Sequence, residues 1–146
     1  MAALLLDWRR TGKVRYLVPS TAPGDPRFDP RRYWLGPVWP HVNWMIAEGL
    51  KSVGQSAAAR QVVADTLELL EGHGLKEYYN PTASAATTGA GAGREERGLG
   101  AGDFGFSSAA YPQLLELARE LQVQRSPAAM QPETYAAIYR YVKMSL

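Results

Sequence analysis

Apolar positions along this chain recur mostly at helical spacing and almost never alternate. From about Pro37 to Gly54, Val38, Val42, Met45, Ile46 and Val53 repeat with a helical period, and Trp39, Asn43, Ile46 and Leu50 form an adjacent stripe. Apolar residues thus cover much of the circumference, which predicts a helix packed between neighbours rather than laid on a surface. Pro37 and Pro40 suit its first turn, where amide hydrogens lack helical partners anyway. A second helix is predicted over 57–71, lined inward by Val63, Leu67 and Leu70, with Ser56 as N-cap and Gly72 or Gly74 as the stop. A third starts near Ser107 or Ser108, both read as caps with Asp103 as a further candidate, and runs to about Gln122. Its core face is Ala110, Leu114, Leu115, Ala118 and Leu121, and Pro112 falls near its first turn. After Pro127 a last helix over 132–143 carries Tyr135, Ile138, Tyr139 and Val142. Near the start, Leu4 to Trp8 reads as a helix end stopped by Gly12, followed by a short extended run from Val14 to Val18. No run alternates long enough to predict a firm strand, so the fold class is all-α.

The connections are long for a helical protein, and long structured loops usually carry function. Residues 19–30 hold four prolines, Pro19, Pro23, Pro26 and Pro30, which exclude a regular helix. Phe28 and the aromatics after it favour an ordered loop. Residues 83–98 are a low-complexity run of Ala, Gly, Ser and Thr followed by Arg94-Glu95-Glu96-Arg97. Small side chains bury too little surface to offset ordering entropy, so a mobile loop is expected. The glycines there lack the Lys-Ser/Thr ending of a phosphate loop.

With 146 residues, 46% hydrophobic and 21% charged, the chain fits one folded domain. A net charge of +2, with arginines scattered at Arg9-Arg10, Arg31-Arg32, Arg94 and Arg97, gives no electrostatic case for nucleic acid. The absence of cysteine excludes disulfides and thiolate metal sites. No apolar run approaches the ~20 residues that span a membrane. The run from Ala2 to Leu6 is too short for a signal-peptide core and has no basic flank, so a cytoplasmic location is expected by default.

Candidate chemistry concentrates in two stretches. Tyr33-Trp34-Leu35-Gly36-Pro37-Val38-Trp39-Pro40-His41-Val42-Asn43-Trp44 holds three of the four tryptophans. Flat amphipathic rings make a good surface for a sugar. Trp39 and Trp44 are five apart on a helix and face different ways, so Trp44 is assigned to the core, whereas Tyr33, Trp34 and Trp39 flank Gly36-Pro37 at a helix entrance. The second stretch is Glu77-Tyr78-Tyr79-Asn80-Pro81, with Gly98-Leu99-Gly100 and Asp103-Phe104-Gly105-Phe106 after it. A carboxylate hedged by aromatics is partly desolvated, which raises its pKa and suits it to proton transfer. Glycoside hydrolysis needs two such carboxylates across the scissile bond. His41 and His73 are the only histidines and have no carboxylates at ligand spacing, so both are read as hydrogen-bonded structural residues and no metal or other cofactor is expected.

These residues carry a resemblance. Tyr33 to Trp44 resembles the Y-W-R-G-P-V-W segment of glycoside hydrolase family 63 and its bacterial mannosylglycerate and glucosylglycerate hydrolase relatives. Val18-Pro19-Ser20 and Phe28-Asp29-Pro30-Arg31-Arg32 resemble the lead-in loop. Glu77 to Pro81 and Gly98 to Ser107 are similar to the E-Y-x-x-P…G-x-G…F-x-W-[ST] segment. The resemblance covers about residues 8–122. It implies an (α/α)6 barrel and an inverting mechanism with an Asp acid and a Glu base. On matching positions Glu77 falls on the general base, and Tyr33, Trp34, Gly36 and Trp39 on the sugar-pocket wall. The trehalase family shares the barrel and a similar base motif.

Four departures stand out. The family's Arg is Leu35 here, its late Trp is Phe106, and residues 83–97 look like a flexible insertion. The segment bearing the acid is absent. A twelve-helix barrel needs roughly 350 residues at ordinary helix and loop lengths. The expectation is therefore an incomplete (α/α)6 barrel of C-terminal helix pairs with long structured loops. Residues 1–122 would form the barrel portion and 123–146 a helical extension. Such a fragment would bind a small sugar or glycoside but be inactive or weak alone, and it would tend to self-associate through exposed apolar surface. The alternative from a different class is a non-enzymatic helical interaction module.

Overall fold

The computed structural model describes residues 2–82, 97–124 and Ala136. Apart from Ala136, the expected last helix lies outside the described residues, as do residues 83–96 of the expected mobile loop. Four α-helices are present among the described residues: α1 (Ala2–Arg10), α2 (Pro40–Ser52), α3 (Ser56–His73) and α4 (Gly105–Glu120), with a 3-10 turn at Tyr33–Leu35 and two short strands, β1 (Tyr78–Tyr79) and β2 (Gly98–Leu99).

Helices α2, α3 and α4 pack on one another, and α1 leans on α3. The core is Ala47 and Leu50 of α2, Val62, Val63, Leu67, Leu69 and Leu70 of α3, and Ala110, Leu114 and Leu117 of α4, closed by Leu17, Val38 and Tyr79 from the loops. Helix α3 buries the expected Val63, Leu67 and Leu70 and also Val62 and Leu69, and Gly74 ends it at φ 81°. Gly12, at φ 72°, follows α1 as expected.

Several boundaries differ from the expectation. Helix α2 starts at Pro40, because Val38 is drawn into extended pairing with both Pro19 and Tyr79. Trp39, preceding a proline, is extended at φ −113° and ψ 114°. On α2 the stripe that turns inward is the second: Asn43 and Leu50 are buried, whereas Met45 is 54% and, just past the helix end, Val53 69% exposed. Ser56 is the first residue of α3, and Gln55 occupies the cap position with no side-chain cap bond. Ser107 and Ser108 lie inside α4, which enters two residues earlier. Phe104 N–H donates to the Leu75 carbonyl at 2.9 Å and Ser107 Oγ to the Lys76 carbonyl at 2.6 Å, so a tertiary anchor replaces a local cap. Pro112 consequently falls in the helix interior, on its exposed side. The 14–18 segment is bent rather than a strand. Asp65 of α3 accepts the Leu17 amide at 2.9 Å, and Asn43 of α2 grips Leu17 and Val18 from the other side. Burial pushes the Asp65 carboxyl above its usual range, against the pull of that amide and of Arg9, Gln61 and Arg15.

Among the described residues no helix is long and apolar enough to cross a membrane.

Candidate active site

Extended backbone from sequence-distant loops converges at one end of the helices. Pro19 pairs with Val38, Val38 with Tyr79, and Tyr79 with Gly98, all antiparallel. Val38 and Tyr79 exchange both amide bonds, at 2.8 and 2.9 Å. Because side chains alternate across extended backbone, Tyr79 goes inward and Tyr78 to the opposite face. Tyr79 is fully buried, and its hydroxyl donates to the Gly74 carbonyl and accepts the Lys76 amide; burial pushes its pKa well up.

Tyr78 meets the rings of the other segment. Trp34 and Trp39 stack with centroids 4.0 Å apart and planes within 5°. Tyr33 stands edge-on to Trp34 at 5.9 Å, to Trp39 at 5.0 Å and to Tyr78 at 5.6 Å, and Tyr78 tilts on Trp39 at 4.9 Å. Trp39 is 3% exposed and Trp34 43%, so the inner indole anchors and the outer one is presented. The Trp39 indole N–H donates to the Tyr33 carbonyl at 3.4 Å. Tyr33 itself adopts a positive φ of 38°, a conformation that costs a non-glycine residue about 1–3 kcal/mol and clusters at functional sites. The proline loop holds it there. Thr21 Oγ1 donates to the Trp34 carbonyl at 3.0 Å, the Asp29 amide to the Leu35 carbonyl at 2.8 Å, and the Gly36 amide to Ser20 Oγ at 3.1 Å. Gly36 is buried, and a Cβ there would run into the Asp29 carbonyl and Pro30. Its visible work is to let this loop close against the aromatic turn.

Glu77 precedes Tyr78 and is half-buried. Its amide donates to the Ala101 carbonyl at 2.9 Å, and its Oε2 accepts the Ala101 amide at 3.1 Å. Gly100, at φ 72°, fits between the carboxylate and the Tyr78 ring. A Cβ on it would stand 2.5 Å from Glu77 Oε2 and 2.8 Å from Tyr78 Cε1. Tyr33, Trp34 and Trp39 are thus gathered into one shelf, and Glu77 joins it by way of Tyr78 and Gly100. Among the described residues no group of three or more His, Cys, Asp or Glu could hold a metal ion.

Sequence reasoning did not single out Tyr78, Gly100 or Ala101 as site residues, although the E-Y and G-x-G spacing contained them. It also misread His41. Among the described residues His41 Nδ1 is buried with no hydrogen-bond partner, rather than bonded. The ring lies edge-on to Trp39 at 5.9 Å and tilted to Phe106 at 5.2 Å. Desolvation lowers its pKa below the ordinary 6.5. A base with a depressed folded pKa binds more protons when unfolded, so stability is held above about pH 6.5 and lost as pH falls through the lower folded value. Urea midpoints of wild type should therefore drop between pH 7 and 5, and His41→Phe should flatten that drop.

Comparison with known proteins relates the chain to glycoside hydrolases. The chain is 51% identical over 79 residues to a mannosylglycerate hydrolase of Thermus thermophilus, covering 54% of this chain and 19% of that protein. It is 37% identical over 65 residues to a glucosylglycerate hydrolase of Mycolicibacterium hassiacum, covering 44% and 15%. It therefore spans about a fifth or less of the length of these relatives. A crystal structure of a glycoside hydrolase family 63 mannosylglycerate hydrolase from another strain of Thermus thermophilus, in complex with glucose, superimposes with a TM-score of 0.64 at 39% identity. That match covers 79% of this chain and 25% of the enzyme, and the structure with Tris and D-glycerate matches equally well. The helices are accordingly those of an incomplete all-α barrel. The model of the mannosylglycerate hydrolase MGH1-like glycoside hydrolase domain matches residues 1–107, and the chain belongs to that family.

Proposed function

We propose that this chain carries the water-activating side of an inverting α-glycoside hydrolase site for glucosylglycerate, mannosylglycerate or a short α-glucoside. The observation that carries the reading is the clasp on Glu77. One carboxylate oxygen is fastened by the Ala101 amide, beside a tyrosine that continues into a stack of indoles. A carboxylate fixed through one oxygen keeps the other for a proton from attacking water, as a general base requires. Tyr33 and Trp34 take the C–H faces of the sugar ring, and Trp39 backs them as the anchored wall of the pocket. No residue of this chain is assigned the general acid, so the 146-residue chain alone is expected to turn over weakly or not at all.

The test supplies the rest of the barrel. Residues 1–107 replace the matching segment of the Thermus mannosylglycerate hydrolase, and release of D-glycerate is followed. The chimera is expected to hydrolyse mannosylglycerate. Glu77→Gln within it should lower kcat by ~10² to 10⁴-fold with little change in KM. A folded chimera without activity, or a Gln variant as fast as its parent, overturns the reading.

A further inference from the structure

Trp39 belongs to two sets of rings. On one side are Tyr33, Trp34 and Tyr78; on the other, His41 contacts Trp39, Phe106 contacts His41, and Phe104 stands edge-on to Phe106 at 5.5 Å. Phe106 is 62% exposed at the entrance of α4, an apolar ring that the fold leaves uncovered among the described residues. The same helix entrance is bonded to the backbone on either side of Glu77's neighbour Lys76, through Phe104 to Leu75 and Ser107 to Lys76, so this second arm is held to the segment that carries Glu77.

His41 is the polar group of that arm, and its two nitrogens differ. Among the described residues Nδ1 is buried without a partner, whereas Nε2 is neither buried nor engaged. A buried N–H without an acceptor is rarer and costlier than a buried lone pair without a donor. The neutral ring therefore carries its proton on Nε2, the nitrogen that is not fully buried. An aromatic face next to a single accessible donor fits a hydroxyl-bearing carbon skeleton: the C–H groups lie on the rings and a hydroxyl oxygen accepts from the imidazole.

Resting on the proposed sugar site, we infer that His41 and Phe106 form a second ligand-contacting arm of that site, in which His41 Nε2–H donates to a hydroxyl of the bound glycoside. His41 is thereby a binding residue for either the sugar or the hydroxy-acid group attached to it.

The chain has only two histidines, so the ring can be watched directly. In ¹⁵N-labelled His73→Gln protein, the His41 ring and the Trp34 and Trp39 indole signals are followed while glucose, and separately D-glycerate, is added. The free protein is expected to show the Nε2-protonated tautomer. Either probe should shift His41 Nε2 together with an indole, and the probe that does so tells which part of the glycoside the arm holds. His41→Phe, which keeps the aromatic contacts, should weaken binding about tenfold, the worth of one hydrogen bond; should that variant fail to fold, the titration followed at the His41 ring decides alone. Indole signals that move while His41 stays still, an Nδ1-protonated ring, or unchanged affinity in the folded Phe variant would overturn the inference and leave the sugar site standing. No movement of any of these signals with either probe would remove the sugar site, and the arm with it.

Discussion

Gly100→Ala is expected to lower the unfolding free energy by about 2–3 kcal/mol and to dislodge Glu77 from Ala101. Two costs combine. A φ of 72° is strained for any residue with a Cβ, at roughly 1–2 kcal/mol. The new methyl would also stand 2.5 Å from Glu77 Oε2, 2.8 Å from Glu77 Cβ and 2.8 Å from Tyr78 Cε1, so both site residues must move. Because Tyr78 touches Tyr33 and Trp39, the shift reaches the shelf. Urea unfolding and indole fluorescence should change together, and sugar binding should fall. Gly102→Ala is the control: its Cβ would meet only Lys76 Nζ at 3.7 Å, an ordinary contact, and stability should stay within about 0.5 kcal/mol of wild type. Equal stability and equal fluorescence for the two variants would refute the account of the clasp.

Asn43→Ala should cost more, about 3–4 kcal/mol, because several bonds share one buried amide. Nδ2 donates to the Leu17 carbonyl at 2.7 Å and to Thr66 Oγ1 at 2.8 Å, while Oδ1 accepts the Val18 amide at 3.2 Å. Leu17 is fully buried, so truncation leaves its dry carbonyl unpaired, at about 1–3 kcal/mol, strips Thr66 Oγ1 down to its bond to the Val62 carbonyl, frees the Val18 amide, and opens a void. Asn43→Asp should be nearly as damaging, since it sets a carboxylate oxygen against the Leu17 carbonyl. Asn43 follows the last shelf residue by one helical turn and fastens the segment leading to Pro19, so its loss should also loosen Tyr33 and Trp34. Chemical denaturation measures the first effect and near-ultraviolet circular dichroism the second. A loss below about 1 kcal/mol would contradict the role given to this amide.

The helices and the family motifs in the two aromatic stretches were legible in the sequence because both are local signals. Periodic apolar residues over ten or more positions specify a helix wherever the chain goes, and α2, α3 and α4 lie within a few residues of their expected places. Two misplaced starts share one cause. Pro37 and Ser107 are a good local start and cap, but Val38 pairs with Tyr79 and Ser107 reaches Lys76, and those distant partners outweigh a capping bond. The inward stripe of α2 was ambiguous for a similar reason: two adjacent apolar stripes exist, and only the position of α3 and α4 selects the one with Asn43 and Leu50.

By itself the sequence determined an all-α chain and the family of its motifs. It also kept Tyr33, Trp34, Trp39 and Glu77 in view, since ring and carboxylate types at fixed spacing need no coordinates. Tertiary structure decided the rest: that Tyr78 joins the shelf, that Ala101 grips Glu77, and that among the described residues His41 has a buried nitrogen without a partner. Those facts depend on residues far apart in the chain meeting across antiparallel pairs and helix ends. Such meetings follow from the closing of the whole core, and no local pattern encodes them.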